Sequence, residues 1–174
     1  DAAGLAAMSR SFEDEGLSVS GYLTNAAEPG ALEQLVSDVE QVGPIDTMVY
    51  NLGAQIGNRS LEKTSLKTFE LGWQIACFGL FRLAKVLVPL MAARGKGTLL
   101  VTSATSAMRG NAGQHSHAAA MAGRRLLCQT LNAEYASQGI HVAHIVVDGA
   151  VDAPDTLGKM LGEEAFTALR NKRG

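Results

Sequence analysis

Residues 97–121, GTLLVTSATSAMRGNAGQHSHAAAM, read as a strand, a turn and the start of a helix. Gly97 to Thr102 is a short run rich in apolar and β-branched residues, the pattern of a buried strand. Gly110 and Gly113 then punctuate the chain, and His115 to Ser137 has the composition of a helix. A strand that runs through a short turn into a helix is the repeating unit of a parallel sheet.

The same alternation extends outward in both directions. Residues 2 to 15 are Ala-rich with scattered charge and read as a helix stopped at Gly16. Leu17 to Leu23 alternates (LSVSGYL) and is expected as a short strand. Pro29 opens a helix with Leu32, Leu35, Val36 and Val39 on one stripe, ended by Gly43-Pro44. Ile45 to Tyr50 reads as a strand that leads into the loop Asn51-Leu52-Gly53-Ala54. A long helix over Ser65 to Ala93 is apolar on more than one face, so it requires burial on more than one side. Ile140 to Val147 is a strand rich in β-branched residues, and residues 157 to 171 form a final amphipathic helix. These elements predict a single α/β domain over residues 1–174, with a parallel sheet covered on both faces. Repeats, low-complexity tracts and linkers are not seen.

Composition narrows the function classes. The chain has 174 residues, 47% of them hydrophobic, and a formal charge of −2, which gives no electrostatic basis for binding nucleic acid or an anionic membrane. The apolar stretch near residues 75 to 93 is interrupted by Arg82 and Lys85 and is not expected to span a membrane. No basic region followed by an apolar core opens the sequence, so no secretory signal is expected. Cys77 and Cys128 lack a C-x-x-C spacing and read as buried apolar residues in a reducing, cytoplasmic compartment. His115 with His117, and His141 with His144, lack carboxylate or thiolate company, so no metal site is expected. Ser-Ala-Thr-Ser (103–106) lacks the flanking glycines of a hydrolase elbow. Arg124-Arg125 and the terminal Arg170-Asn171-Lys172-Arg173 read as solvated charges.

The segment 103–121 resembles the active-site segment of the short-chain dehydrogenases/reductases. Gly110, Asn111, Gly113 and Gln114 match its frame without a gap. The resemblance implies a Rossmann-like doubly wound parallel sheet that here lacks the family's strands 1, 2 and 7. Residues 17 to 23 would then be the third strand, left without a partner, and residues are expected to be missing from both ends or replaced by another segment. The resemblance also assigns roles. The catalytic Ser position falls on Ala104, the Tyr position on His117, the Lys position on Met121, and the Asn position on Ala76, where Gly79 and Phe81 match the surrounding helix motif. All four are replaced.

The resemblance implies a nicotinamide dinucleotide, NAD(P), or no cofactor in this chain, since the family's phosphate-binding T-G-x-x-x-G-x-G is not found in the sequence. Secondary cofactor contacts are assigned to Asn25, Asn51, Gly53, Asp148, Gly149, Ala150 and Val151. The Thr that often follows the last of these loops is replaced by Ala153. Helices 65–93 and 115–137 are the expected surfaces of a homo- or hetero-oligomer. A non-catalytic or subunit-type member is the leading expectation. The alternatives are an NAD(P)-dependent oxidoreductase with a proton relay through His117, whose unperturbed pKa of about 6.5 suits that role, and a small-molecule binder using the vacated cleft.

Overall fold

Three parallel strands organise the computed structural model, which describes residues 2–53, 60–149, 151, 158–159 and 162–171. Strands β1 (Thr47–Tyr50), β2 (Gly97–Ala104) and β3 (Ile140–Val147) lie in the order β1-β2-β3. The register places Tyr50 beside Val101, and Val101 beside His144. Alternation along the strands sends Met48, Tyr50, Leu99 and Val101 to one face, where they are buried. The other face is more open, with Val49 63% and Ile145 45% exposed.

Helices α2 (Ala31–Val42), α3 (Leu66–Trp73), α4 (Gly79–Arg94) and α5 (His115–Tyr135) are joined to the strands in strand–helix–strand order. The core cluster draws Val36 from α2, Leu80, Leu87, Val88 and Met91 from α4, Cys128 from α5, and Tyr50, Leu99, Val101 and Ile140 from the strands. Helix α4 thus fills the centre of the molecule. The helical stretch Leu66–Arg94 is long and apolar enough to cross a membrane, but half of it is buried inside the fold. Helix α1 (Ala2–Asp14) buries no residue, and α6 (Glu163–Asn171) closes the chain.

Three expectations change in the structure. Residues 17 to 23 form no strand, and Leu17 and Leu23 are 52% and 68% exposed. Alternation makes a strand only when a neighbour completes the hydrogen-bond ladder. Here the segment turns back on α1 instead, with Gly21 close against Leu5 and Ser9. The helix expected from Pro29 starts at Ala31, because Pro29 and Gly30 form a turn and Gly30 adopts φ +81°. The long helix is interrupted by one π turn, Gln74–Phe78, between α3 and α4. Ser65 starts α3 by accepting a hydrogen bond from the Thr68 amide at 3.1 Å. Gly95, at φ +72°, ends α4. Of the expected last helix, residues 163–171 are helical; residues 152–157 and 160–161 lie outside the described residues.

Two ion pairs attach α2 to α4. Arg82 Nε donates to Glu33 Oε1 at 2.7 Å, and Arg94 Nη1 donates to Glu40 Oε2 at 2.8 Å. The hydrogen bond from its arginine is the largest cause holding each carboxyl below the ordinary value of 4.5. A lowered folded-state pKa stabilises the fold fully above the unfolded value, and that stability is lost as pH falls through the folded pKa. Thermal unfolding midpoints are therefore expected to fall as pH drops below about 4.5. The double variant E33Q/E40Q should start less stable at pH 7 and show a shallower fall; an unchanged slope in a melting series would remove both pairs from the acid response.

Candidate functional site

In a parallel sheet the carboxyl ends of the strands and the loops that leave them form the crevice where ligands bind. Here β1 ends in the turn Asn51–Gly53, β2 ends in Ser103 and Ala104 before a 3-10 turn (Thr105–Ala107), and β3 ends at Asp148-Gly149. The π turn and the first turns of α5 lie against the same region. Ala76, Ala104, His117 and Met121 therefore lie at the carboxyl end of the sheet, although they come from three elements: the π turn, β2 and α5.

Their immediate surroundings are closed. Ala76 is 0%, Met121 2% and His117 4% exposed, while Ala104 is partly buried. Ala76, Ala107, Ala120 and Met121 pack into an apolar cluster of their own. Ser103 Oγ points to the Met121 sulfur at 3.7 Å, a soft contact where the family resemblance places a charged amine. Ala76 and Met121 are thus buried together rather than facing solvent. Ser103, Ser106, Ser116 and His117 form the buried polar set on this edge. His115 is exposed whereas His117 is buried, and among the described residues no three His, Cys, Asp or Glu side chains converge as for a metal ion.

The positions assigned to a dinucleotide sit farther out. Asn51, Gly53, Asp148 and Gly149 are exposed, and Val151 is 65% exposed. Ala150 and Ala153 lie outside the described residues. Asn25 is exposed and organises its own loop: its Oδ1 accepts from the Ala27 amide at 3.1 Å, and its Nδ2 donates to Glu28 Oε1 at 3.0 Å. The family resemblance assigns these residues to the ribose and amide edges of a dinucleotide. They include no glycine-rich cradle for its pyrophosphate, so they do not fit the whole group.

Arg124 departs most from the sequence reading. It is not a solvated charge but a buried one, 2% exposed. Its Nε donates to the Ala76 carbonyl at 2.7 Å, its Nη1 to the Thr102 carbonyl at 2.6 Å, and its Nη2 to the Leu52 carbonyl. The guanidinium also lies over the Tyr50 ring, 5.1 Å from its centroid. Among the described residues no carboxylate pairs with it. Tyr50, itself 2% exposed, donates its hydroxyl to the Ile75 carbonyl. A π turn disturbs the regular helical bonding, and Tyr50 and Arg124 bond two carbonyls of this one. Burial raises the Tyr50 phenol to about 12 and the Cys128 thiol to about 11, and it raises the Cys77 thiol too, while the Arg124 charge acts in the opposite direction on all three.

A sequence signal for Arg124 existed. Residues 117, 120, 121, 124 and 128 lie at helical spacing, and each of the other four is buried. Arg124 therefore sits on the buried stripe of α5, and Arg125 only beside it. The Tyr50 role had no such signal, because it depends on a turn 25 residues away.

A second concavity, of about 490 Å³, opens between the start of α2 and helix α4. Pro29, Glu33, Phe78, Phe81, Arg82 and Lys85 are among its walls, and none of Ala76, Ala104, His117 or Met121 is.

Comparison with known proteins places this geometry. The family model described as short chain dehydrogenase matches residues 1–159. The 3-oxoacyl-[acyl-carrier-protein] reductase of Salmonella typhimurium is 26% identical over 142 residues, covering 81% of this chain and 57% of that protein. The 2-dehydro-3-deoxy-D-gluconate 5-dehydrogenase of Formosa agariphila is 29% identical over 132 residues, covering 75% of this chain and 50% of its own length. The chain thus spans little more than half the length of these curated relatives. Among solved structures, a short-chain dehydrogenase/reductase from Burkholderia xenovorans superposes with a TM-score of 0.87 at 24% identity, over 99% of this chain and 66% of that one. A gluconate 5-dehydrogenase from Burkholderia cenocepacia, in complex with NADP and tartrate, gives 0.80 at 23% identity, over 97% of this chain and 65% of that one.

Replacing Tyr50 with Phe keeps the ring under Arg124 and leaves the Ile75 carbonyl without its donor. Y50F is expected to lose about 1–2 kcal/mol of unfolding free energy by urea titration. A loss near zero would show that water reaches that carbonyl.

Proposed function

This chain belongs to the short-chain dehydrogenase family, and within that oxidoreductase family we propose a non-catalytic or subunit-type member. One observation carries the reading. The position assigned to the catalytic Lys is Met121, packed at 2% exposure with Ala76, Ala107 and Ala120 into an apolar cluster. A lysine there lowers the pKa of a neighbouring phenol in the standard mechanism. This site has neither the ammonium nor the phenol, and its alanines hold no water and orient no substrate oxygen. Asn51, Gly53, Asp148 and Gly149 would meet the edges of an NAD(P) molecule, which supplies hydride chemistry when bound. The pyrophosphate would have to be held by residues other than these. A cytoplasmic compartment suits the two free, buried cysteines.

A second reading is favoured by the buried polar set Ser103, Ser106, Ser116 and His117. In it His117 moves the proton that a tyrosine would otherwise move. The two readings separate in one assay. With NADH or NADPH and a panel of ketones and 3-oxoacyl thioesters, the first expects no turnover above background, for the protein and for H117A alike. Turnover that H117A removes would establish the second reading and sink the first.

The subunit role places a partner, a second copy or a related chain, on the outer faces of the helical regions 65–93 and 115–137. Trp73, Phe78 and Phe81 support this. They are 40%, 38% and 46% exposed and stack in a ladder with centroids 5.3 and 6.3 Å apart, an arrangement expected of an interface. The native protein should elute as an oligomer in size-exclusion chromatography with light scattering, and F78E/F81E should shift it to a monomer. A monomeric native protein would remove the interface.

A further inference from the structure

We propose that Arg124 is the positioning residue of the crevice: its buried guanidinium holds the turn Asn51–Gly53, the end of β2 and the π turn Gln74–Phe78 at fixed spacing, so that a ligand arriving there meets a preset backbone. In its ligand role the inference rests on the reading of this crevice as the family's dinucleotide edge. The geometry supplies the argument. A planar guanidinium with donors in a fixed fork imposes direction as well as charge. Here each of its three nitrogens goes to a carbonyl of a different element: Leu52 after β1, Thr102 on β2 and Ala76 in the π turn. The Tyr50 ring closes one side at 5.1 Å, and the Tyr50 hydroxyl holds Ile75, the residue before Ala76.

A cation removed from water, with no carboxylate partner among the described residues, is costly, and the arrangement persists only while the carbonyls face it. The constraint is reciprocal: the cation needs all three segments in place, and the segments share one donor. Leu52 lies between Asn51 and Gly53, the two residues of this exposed turn that are assigned to the cofactor. Arg124 acts through the backbone on either side of Leu52.

The test is amide hydrogen exchange on the purified native protein, with R124M, with R124K, and with R124A in the presence and absence of ethylguanidinium. R124M keeps the apolar bulk and removes every donor. Exchange across residues 74–80 and at the Leu52 and Gly53 amides is expected to rise about tenfold or more, as loss of a charged hydrogen bond implies, with helix α2 unchanged. Ethylguanidinium should restore protection in R124A at these segments first. Exchange that rises equally in every element, or does not rise at all, would overturn the proposal. Should R124M fail to fold, R124K decides. One ammonium cannot reach three separated carbonyls, so local loosening at one or more of the three supports the clamp, and native protection at all of them refutes it. NADH fluorescence titration supplies the ligand arm. Weaker binding by R124M than by native protein supports the ligand role, and equal binding refutes it. If the native protein binds no NADH, the dinucleotide reading falls, and the clamp is judged on exchange alone.

Discussion

A positive charge at the centre of this protein is held by backbone carbonyls and one aromatic ring, with no carboxylate beside it among the described residues. Arg124 leaves water almost completely, and its nitrogens are shared among carbonyls of the β1 turn, β2 and the π turn. Desolvating a cation costs several kcal/mol in a folded protein, so the fold tolerates it only where all of these acceptors converge. That requirement explains neighbouring features that otherwise look unrelated. Tyr50 must be aromatic to lie under the guanidinium, and its hydroxyl must find a carbonyl, which the π turn supplies. Gly79 must remain small, because a side-chain carbon there would collide with the Tyr50 hydroxyl. Gly123 likewise admits the Cys77 sulfur between α5 and the π turn.

Much of the architecture is legible from periodicity, because each strand and helix that packs on the core announces its buried face. Gly97 to Thr102 and Ile140–Val147 read as strands from their apolar, β-branched runs, and α5 begins at His115 as its composition suggests. Residues 17 to 23 show the limit. Alternation describes a side-chain pattern, whereas a strand is a pairing, and no strand in the sheet pairs with this segment. The π turn has no visible signature, since this stretch is apolar on more than one face and that hides the one-residue shift in spacing. Arg124 was readable in principle from its place on the α5 stripe, but a charged residue is by default assigned to solvent. Its acceptors are main-chain atoms, which no side-chain pattern encodes.

At the crevice the consequence is a change in what the site is made of. In a dehydrogenase-like frame the edge of the sheet is expected to carry ionisable groups that face a ligand. In this chain the corresponding positions have joined the interior: Ala76 and Met121 pack with two further alanines, and His117 is covered. The family fold does not by itself fix the chemistry of this edge, which depends on the side chains placed there.

The buried guanidinium also divides the electrostatics of the molecule into two regimes. Arg82–Glu33 and Arg94–Glu40 join helices through carboxylates that take up protons in acid, and being partly exposed they are open to screening by salt. The partners of Arg124 are amide carbonyls, which do not titrate, and an arginine does not release its proton in a protein. Shielded from counterions by burial, this junction stays the same across the range of acidity and ionic strength in which the outer pairs weaken. Acid should therefore detach the periphery before it reaches the centre, leaving a partly opened molecule whose sheet edge is still tied.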